Sequence, residues 1–232
     1  MSPNLVKPPP TLDTERRLLL EGFRTIGGVD EVGVGAMAGP IVAGCVVLPL
    51  SGPEADLERL TRILEGVKDS GHTPRRFRSA LDVRIREVAA VGIGVVDAGE
   101  IDSIGSHASA VELATARAVD ELASPDVVLL DGLSSNSLLE QPVRRVPKHR
   151  LGGTPSLTIA AASIVIDVFR RGLMTEYARS YPGYGFDKHF GYPNDVHVAN
   201  VVRLGPSPIH HRSHRLVIEA TRSTIKRTTA PP

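Results

Sequence analysis

Two adjacent acids, Asp30 and Glu31, end a short apolar stretch in TIGGVDEVGVGAMAGPIVAGCVVLPL, residues 25–50. A glycine-rich turn follows them, and then the apolar run Ile41 to Leu48. Two apolar runs about such a turn read as paired strands, which places carboxylates at the end of a hydrophobic strand. Clustered carboxylates repel one another and are costly to desolvate unless a cation or hydrogen bonds compensate. A divalent metal is the simplest compensation, and acid-held metal near a basic surface points to phosphate chemistry. The segment alone leaves a solvated acidic hairpin turn open as the alternative.

The basic surface lies in the second part of the chain. Residues 142–232 carry 14 Lys and Arg against 5 Asp and Glu, which leaves 13 and 21 of the chain's 27 and 26 for residues 1–141. An acidic segment beside a basic one suits a nuclease, with acids for metal and cations for the phosphate backbone, although two solvated surfaces that neutralise each other would show the same asymmetry. The single cysteine, Cys45, lies within an apolar run, which excludes an intrachain disulfide or cysteine-based zinc site and reads as core. No stretch reaches 18 apolar residues, and the proline-rich N-terminus has no apolar signal core, so a cytoplasmic protein is expected. With 232 residues, one large domain, or one domain plus an appendage, is expected.

Along the chain, residues 1–10 are proline-rich and expected to be disordered. Helical spacing covers Thr11 to Gly22 (capped by Thr11 or Asp13), Glu54 to Leu64, Thr73 to Val88, Ser106 to Leu122 and Leu157 to Arg179. Strands are expected over Ile26 to Asp30, Ile41 to Leu48, Ala89 to Val96 and Asp126 to Leu130, with another at Arg144 to Pro147. The fully apolar DVVLL, after a helix, suggests a buried parallel strand that ends at Asp131. Tyr181 to Tyr192 reads as a structured loop, and Asn194 caps a last helix through Leu204. This order predicts a mixed α/β sheet with a helical C-terminal appendage. Ligands collect at the carboxyl ends of strands in such sheets, so Asp30, Glu31 and Asp131 would converge if their two strands are neighbours. Gly33 to Ala38 also fits G-x-G-x-x-A, a dinucleotide-binding pattern. Pro40 and a strand where that pattern needs a helix oppose it, as does the negative charge of Asp30 and Glu31 near a pyrophosphate.

With GVDEVGVGAMAGPIVAGCVVL, VKDS, EID, VVLLDG, IAAASIV, YPGYGFDKHFGYP and LGPSPIHHRSH in this order, the chain resembles the ribonuclease HII family over roughly Thr11 to Ile218. The resemblance implies a ribonuclease H-like mixed sheet flanked by helices, with a helical C-terminal extension. The expected division is a tail and short helix (1–24), a catalytic core (25–180), a substrate-binding extension (181–222) and a flexible tail (223–232). It implies an endonuclease, a monomer away from membranes, that acts in DNA replication and repair on RNA–DNA hybrids and on ribonucleotides embedded in duplex DNA. Asp30, Glu31 and Asp131 match three of the family's four metal-binding acids, for Mn2+ or Mg2+. Gly33, Val34, Gly35 and Tyr192 match substrate-binding positions, Tyr192 being the tyrosine that stacks on the sugar at the RNA–DNA junction.

Several positions depart from the family pattern. Gly153 stands where the fourth acid is expected, Val34 where the central arginine of Gly-Arg-Gly is expected, and Gly71 where a lysine is expected. Asp167 and Arg171 occupy positions that are usually Lys and Asp. His149 and Asp167 are the candidate replacements for the missing acid, although His149 sits in a basic run and Asp167 has Arg170 and Arg171 at pairing distance in sequence. His189, His197 and His210 fall in matched segments, where core and substrate roles both fit. The departures imply either impaired cleavage or a degenerate paralogue that binds hybrids with little cutting.

Overall fold

The computed structural model describes residues 8–51, 54–122, 125–131, 137–147 and 154–228. The expected turn at Ser51 to Pro53 and the positions of His149 and Gly153 lie wholly or partly outside these residues. Five strands form one sheet: β1 (Ile26–Val32), β2 (Ile41–Val47), β3 (Ala90–Val96), β4 (Val127–Asp131) and β5 (Val143–Val146). Their spatial order is β3-β2-β1-β4-β5. The first three make an antiparallel meander, whereas β4 runs parallel to β1 and β5 parallel to β4.

Strand β1 continues two residues beyond its expected end. Asp30, Glu31 and Val32 pair with Gly44, Ala43 and Val42, so the ladder carries both acids inside the sheet. Strand β4 likewise includes Asp131.

The helices are α1 (Asp13–Leu20), α2 (Glu54–Ile63), α3 (Arg75–Val88), α4 (Ala98–Ile104), α5 (His107–Asp120), α6 (Leu157–Ser180), α7 (Phe186–His189), α8 (Asp195–Leu204) and α9 (Arg215–Thr228). Helix α5 covers one sheet face through Ala110, Ala114 and Ala118, packed with Val29, Cys45 and Leu130. Helix α6 covers the other, where Ile159 and Ile164 join Leu129, Val46 and residues of α2 and α3. Each such aliphatic side chain, fully buried, contributes about 1.5–3 kcal/mol. Cys45 is core as expected, and burial pushes its thiol up to about 12, which leaves it inert as a nucleophile.

Helix α6 approaches the sheet closely because β1 and β2 offer glycines beneath it. A Cβ on Gly28 would lie 2.6 Å from the backbone of Thr158 and Ile159, and one on Gly44 would lie 2.4 Å from Ile166. The N-terminus of α6 is fixed by Ser156, whose hydroxyl caps Ile159, and by the buried Glu15 of α1. Glu15 accepts hydrogen bonds from Ser156 Oγ (2.5 Å), Thr158 Oγ1 (2.7 Å) and the Thr158 N–H (3.1 Å). An anion is favoured at that end of a helix.

Some boundaries differ from the sequence expectation. The N-cap position of α1 is Leu12, whose side chain caps nothing; Thr11 Oγ1 accepts from the Asp13 N–H at 3.3 Å, and Thr11 also bridges to Ser156. Thr73 does not open α3, because its hydroxyl donates back to the Lys68 and Asp69 carbonyls and closes a single 3-10 turn over Ser70–His72. Helix α4 is short, begins at an Asp97–Glu100 capping box and ends on left-handed Gly105. Helix α8 is not the last. Helix α9 follows and buries Val217 and Ala220 against Met37 and Val201.

Candidate active site

Strands β1 and β4 bring two of the expected acids, Asp30 and Asp131, side by side. Val29 pairs with Leu130, so the next residue in each strand is Asp30 and Asp131. By the strand period both project to the α6 face, on which Leu129 also lies, and Glu31 projects to the other. Asp131 is buried, while Asp30 and Glu31 retain partial exposure.

Ser163 completes this corner. The glycine contacts set α6 low enough for its hydroxyl to hydrogen-bond the Asp30 carboxyl and to accept from the Ser70 N–H at 3.0 Å. Ser70 Oγ lies 2.9 Å from it. Asp69, beside Ser70, adds a further negative charge near Asp30. The Asp30 carboxyl is pushed up to about 8, chiefly by burial and then by the charge of Glu31, with Asp69 adding to both and the Ser163 hydrogen bond opposing them. Asp30 is therefore an electrostatically unfavourable anion in the metal-free protein.

These oxygen donors suit a hard divalent cation in type. No three acids or histidines among the described residues already stand close enough to share one ion. Asp167 does not supply a free carboxylate. It is buried and held by Arg78 (2.8 Å) and by Arg171 (2.8 and 3.0 Å), rather than by Arg170.

The glycine turn after β1 is built around Arg170. This arginine is 2% exposed, and its guanidinium donates to the carbonyls of Pro40 (2.8 Å), Ala38 (3.1 Å) and Phe190 (2.8 Å). Gly33 adopts φ +98°, and a Cβ there would stand 2.5 Å from the Pro40 carbonyl and 2.7 Å from Arg170 Nε. Gly33 is thus demanded by the protein's own packing. A Cβ on Gly35 would meet nothing within 4 Å, and Val34 is 40% exposed, so this edge of the turn is open to a ligand.

Tyr192 is brought to the same turn from the C-terminal part. Gly191 lies flat against Ala38, where a Cβ would approach the Ala38 carbonyl to 2.1 Å, and its own carbonyl accepts from the Met37 N–H at 2.8 Å. The Tyr192 ring, 37% exposed, lies over the Arg170 guanidinium at 5.3 Å.

The histidines hold this tyrosine. Ser207 N–H donates to His210 Nδ1 (2.9 Å), which makes His210 Nε2 the donor to His197 Nε2 (3.0 Å). His197 Nδ1–H then donates to the Tyr192 carbonyl at 3.0 Å. Burial depresses both, His197 to about 4 and His210 to about 3, so the chain is neutral and its protons are fixed. His189 stacks on His197 at 4.1 Å. His197 and His210 are core hydrogen-bonding groups, whereas His189 is half-buried and bonds the Tyr184 carbonyl (2.9 Å) and the Gly191 N–H (3.2 Å). Ser163, Asp69 and Arg170 carried no assigned role in the sequence reading. The IAAASIV and VKDS matches were the available signals for the first two, and nothing local distinguishes Arg170.

Acids at the ends of two parallel neighbours, beneath a helix on a mixed five-stranded sheet, define a ribonuclease H-type nuclease. The pattern described as Ribonuclease HII matches residues 27–219. The chain belongs to the ribonuclease HII family. It is 41% identical over 215 residues to the Ribonuclease HII of Geobacter sulfurreducens, covering 91% of each chain. Its fold is similar to that of ribonuclease H2 from Pyrococcus horikoshii, with a TM-score of 0.69, 23% identity and coverage of 87% of this chain and 99% of that one. It is also similar to Bst-RNase HIII solved with Mn2+, with a TM-score of 0.63, 18% identity and coverage of 88% and 71%. No helix among the described residues is long and apolar enough to cross a membrane.

Proposed function

We propose that this endonuclease cuts the RNA strand of RNA–DNA hybrids and single ribonucleotides embedded in duplex DNA, with Asp30, Glu31 and Asp131 as metal ligands. The observation that carries this reading is the placement of Asp30 beside Asp131, with the Asp30 carboxyl raised to about 8 by burial among like charges. A divalent ion supplies the missing positive charge; Mn2+, present in the Bst-RNase HIII structure, and Mg2+ both suit oxygen donors. Such ions polarise the phosphodiester and lower the pKa of the attacking water. Asp30 and Asp131 hold the charge on the α6 face, and Ser163 fixes the Asp30 carboxyl. The open edge at Val34 and Gly35 accepts the ribose, where a 2′-hydroxyl distinguishes RNA from DNA. Tyr192 supplies the stacking surface at the junction.

A second reading, hybrid binding with little cleavage, draws on Gly153 and on the engagement of Asp167 by two arginines. Of the two candidate replacements for the fourth acid, only His149 then remains. The decisive experiment is cleavage of duplex DNA that contains one ribonucleotide, in Mg2+ and then in Mn2+. Incision at the ribonucleotide supports the first reading, and binding without incision in either metal supports the second. In the second case Gly153→Asp, checked for folding, should tighten metal binding and raise cleavage about 10-fold, equivalent to roughly 1.4 kcal/mol of barrier.

A further inference from the structure

We propose that the groove between the N-terminus of α3 and the α7–α8 region is a phosphodiester subsite, which grips the nucleic-acid backbone next to the nucleotide stacked on Tyr192. This inference rests on the functional reading above and adds a second binding element to it. The groove encloses about 800 Å3, and Arg75, Arg171, Lys188, Phe190, Tyr192 and Asn194 are among its lining residues. The proposed stacking residue and three cationic side chains therefore share one groove.

Its geometry is built rather than incidental. Phe190 has φ +51°, the one non-glycine residue with positive φ among those described, and a bulky side chain adopts that region at a penalty. The Phe190 carbonyl is held there by buried Arg170. Its ring carries the Arg171 guanidinium at 4.2 Å and that of Arg75 at 5.7 Å. One aromatic ring thus gathers two guanidiniums from different helices. Asp167 holds Arg171 through Nε with both carboxylate oxygens, which orients its guanidinium. Asp167 is also paired with Arg78, so the group of Arg78, Asp167 and Arg171 retains net positive charge. Among the described residues Asp187 is the one acid on the groove lining, against Arg75, Arg171 and Lys188.

A phosphodiester matches this chemistry. Guanidiniums fork onto phosphate oxygens, and Lys188 adds a point charge. Val34, exposed at the glycine turn, carries no charge of its own. Arg75, Arg171 and Lys188 share the groove wall with Tyr192.

The test is equilibrium binding by fluorescence anisotropy in EDTA, where metal-dependent cleavage is suppressed. The probes are a labelled DNA duplex with one ribonucleotide and its all-DNA counterpart, each titrated over a salt series. Arg75→Gln and Arg171→Gln should each lower the slope of log K against log salt by about 0.9 per lost phosphate contact, equally for both duplexes. The double variant should lose both increments, and Arg59→Gln, exposed on α2 and outside the groove lining, should lose none. Arg75→Lys with Arg171→Lys should restore the slope, which a purely structural role of the two arginines would not do. Thermal melts identify the variants that are folded. A folded Gln double variant with the wild-type slope would overturn the subsite. That outcome is distinct from failure of the catalytic reading, which would show as a wild type that binds both duplexes and cuts neither.

Discussion

Asp30→Asn should stabilise the metal-free protein while abolishing its chemistry. Asparagine keeps the shape of the side chain and its hydrogen bond to Ser163, and removes an anion that the fold disfavours. The folded carboxyl lies near 8 against an ordinary value of 3.8, so between these values the folded state binds a proton that the unfolded state does not. Stability of the wild type therefore falls as pH rises through this window, at about 1.4 kcal/mol per unit. At pH 7 the ceiling on the penalty is about 4 kcal/mol. Asp30 keeps partial exposure, so water relaxes some of its charge, and about half that figure is the expected gain. For a chain of this size about 2 kcal/mol corresponds to roughly 4–8 °C in Tm. Urea and thermal denaturation in EDTA at pH 5, 7 and 9 would measure the difference, which should widen from pH 5 to 8 and then level off. Added Mg2+ should close the gap by stabilising the wild type, by about 2.7 kcal/mol at a hundred times its Kd. Cleavage by the variant should fall about 10²-fold or more. Equal stability of the two proteins in EDTA at pH 8, or a difference independent of pH, would refute the claim of a partly buried anion awaiting a cation.

Tyr192→Ala should reduce the preference for an embedded ribonucleotide over plain duplex by about 5- to 150-fold, the effect of losing about 1–3 kcal/mol of stacking, while non-specific binding persists; unchanged discrimination in a competition assay would remove the tyrosine from the junction. Glu15→Ala leaves the buried Ser156 and Thr158 donors at the start of α6 without their acceptor and should lower stability by about 3 kcal/mol, read as a urea midpoint shift. A loss below about 1 kcal/mol would mean that water replaces the carboxylate. The depressed values of His197 and His210 give stability that is fully present above about pH 6.5 and is lost as pH falls toward 4. This slope opposes that of Asp30, so it must be read as a difference between proteins. His210→Gln should flatten the acid side relative to wild type by about 1.4 kcal/mol per unit, and parallel curves would contradict a neutral, buried histidine pair.

What the sequence discloses about this site divides along the range of the interactions. The candidate ligands Asp30, Glu31 and Asp131 stand out in the sequence because charge at the end of an apolar strand is a local anomaly, and because the apolar β4 implies a parallel neighbour. The supporting groups are not legible, because each acquires its role from distant chain. Ser163 meets Ser70 across 93 residues, and Arg170 meets the Pro40 carbonyl across 130. In sequence Arg170 is one of two adjacent arginines on a helix, indistinguishable from a solvated pair. Only the glycines at 33 and 39 make room for it, since a Cβ on either would lie 2.7 or 3.3 Å from its guanidinium nitrogens. Asp167 shows the same limit from the other side. A metal ligand and a helical ion pair are both consistent with its neighbours in sequence, and the choice falls to Arg78, 89 residues away on α3. The histidines at 197 and 210 likewise become a hydrogen-bonded pair, with His189 stacked on His197, only when α7, α8 and the loop after α8 close around Phe186. Helices α4 and α9 escape sequence reading for a related reason. Helix α4 has few residues to establish a period, and α9 buries its small apolar stripe against Met37 of the glycine turn. A residue whose chemistry is unusual for its immediate neighbours can thus be found without the fold. One whose chemistry is ordinary until a glycine elsewhere admits it cannot, and the groups that hold Tyr192 and Asp30 in place are of the second kind.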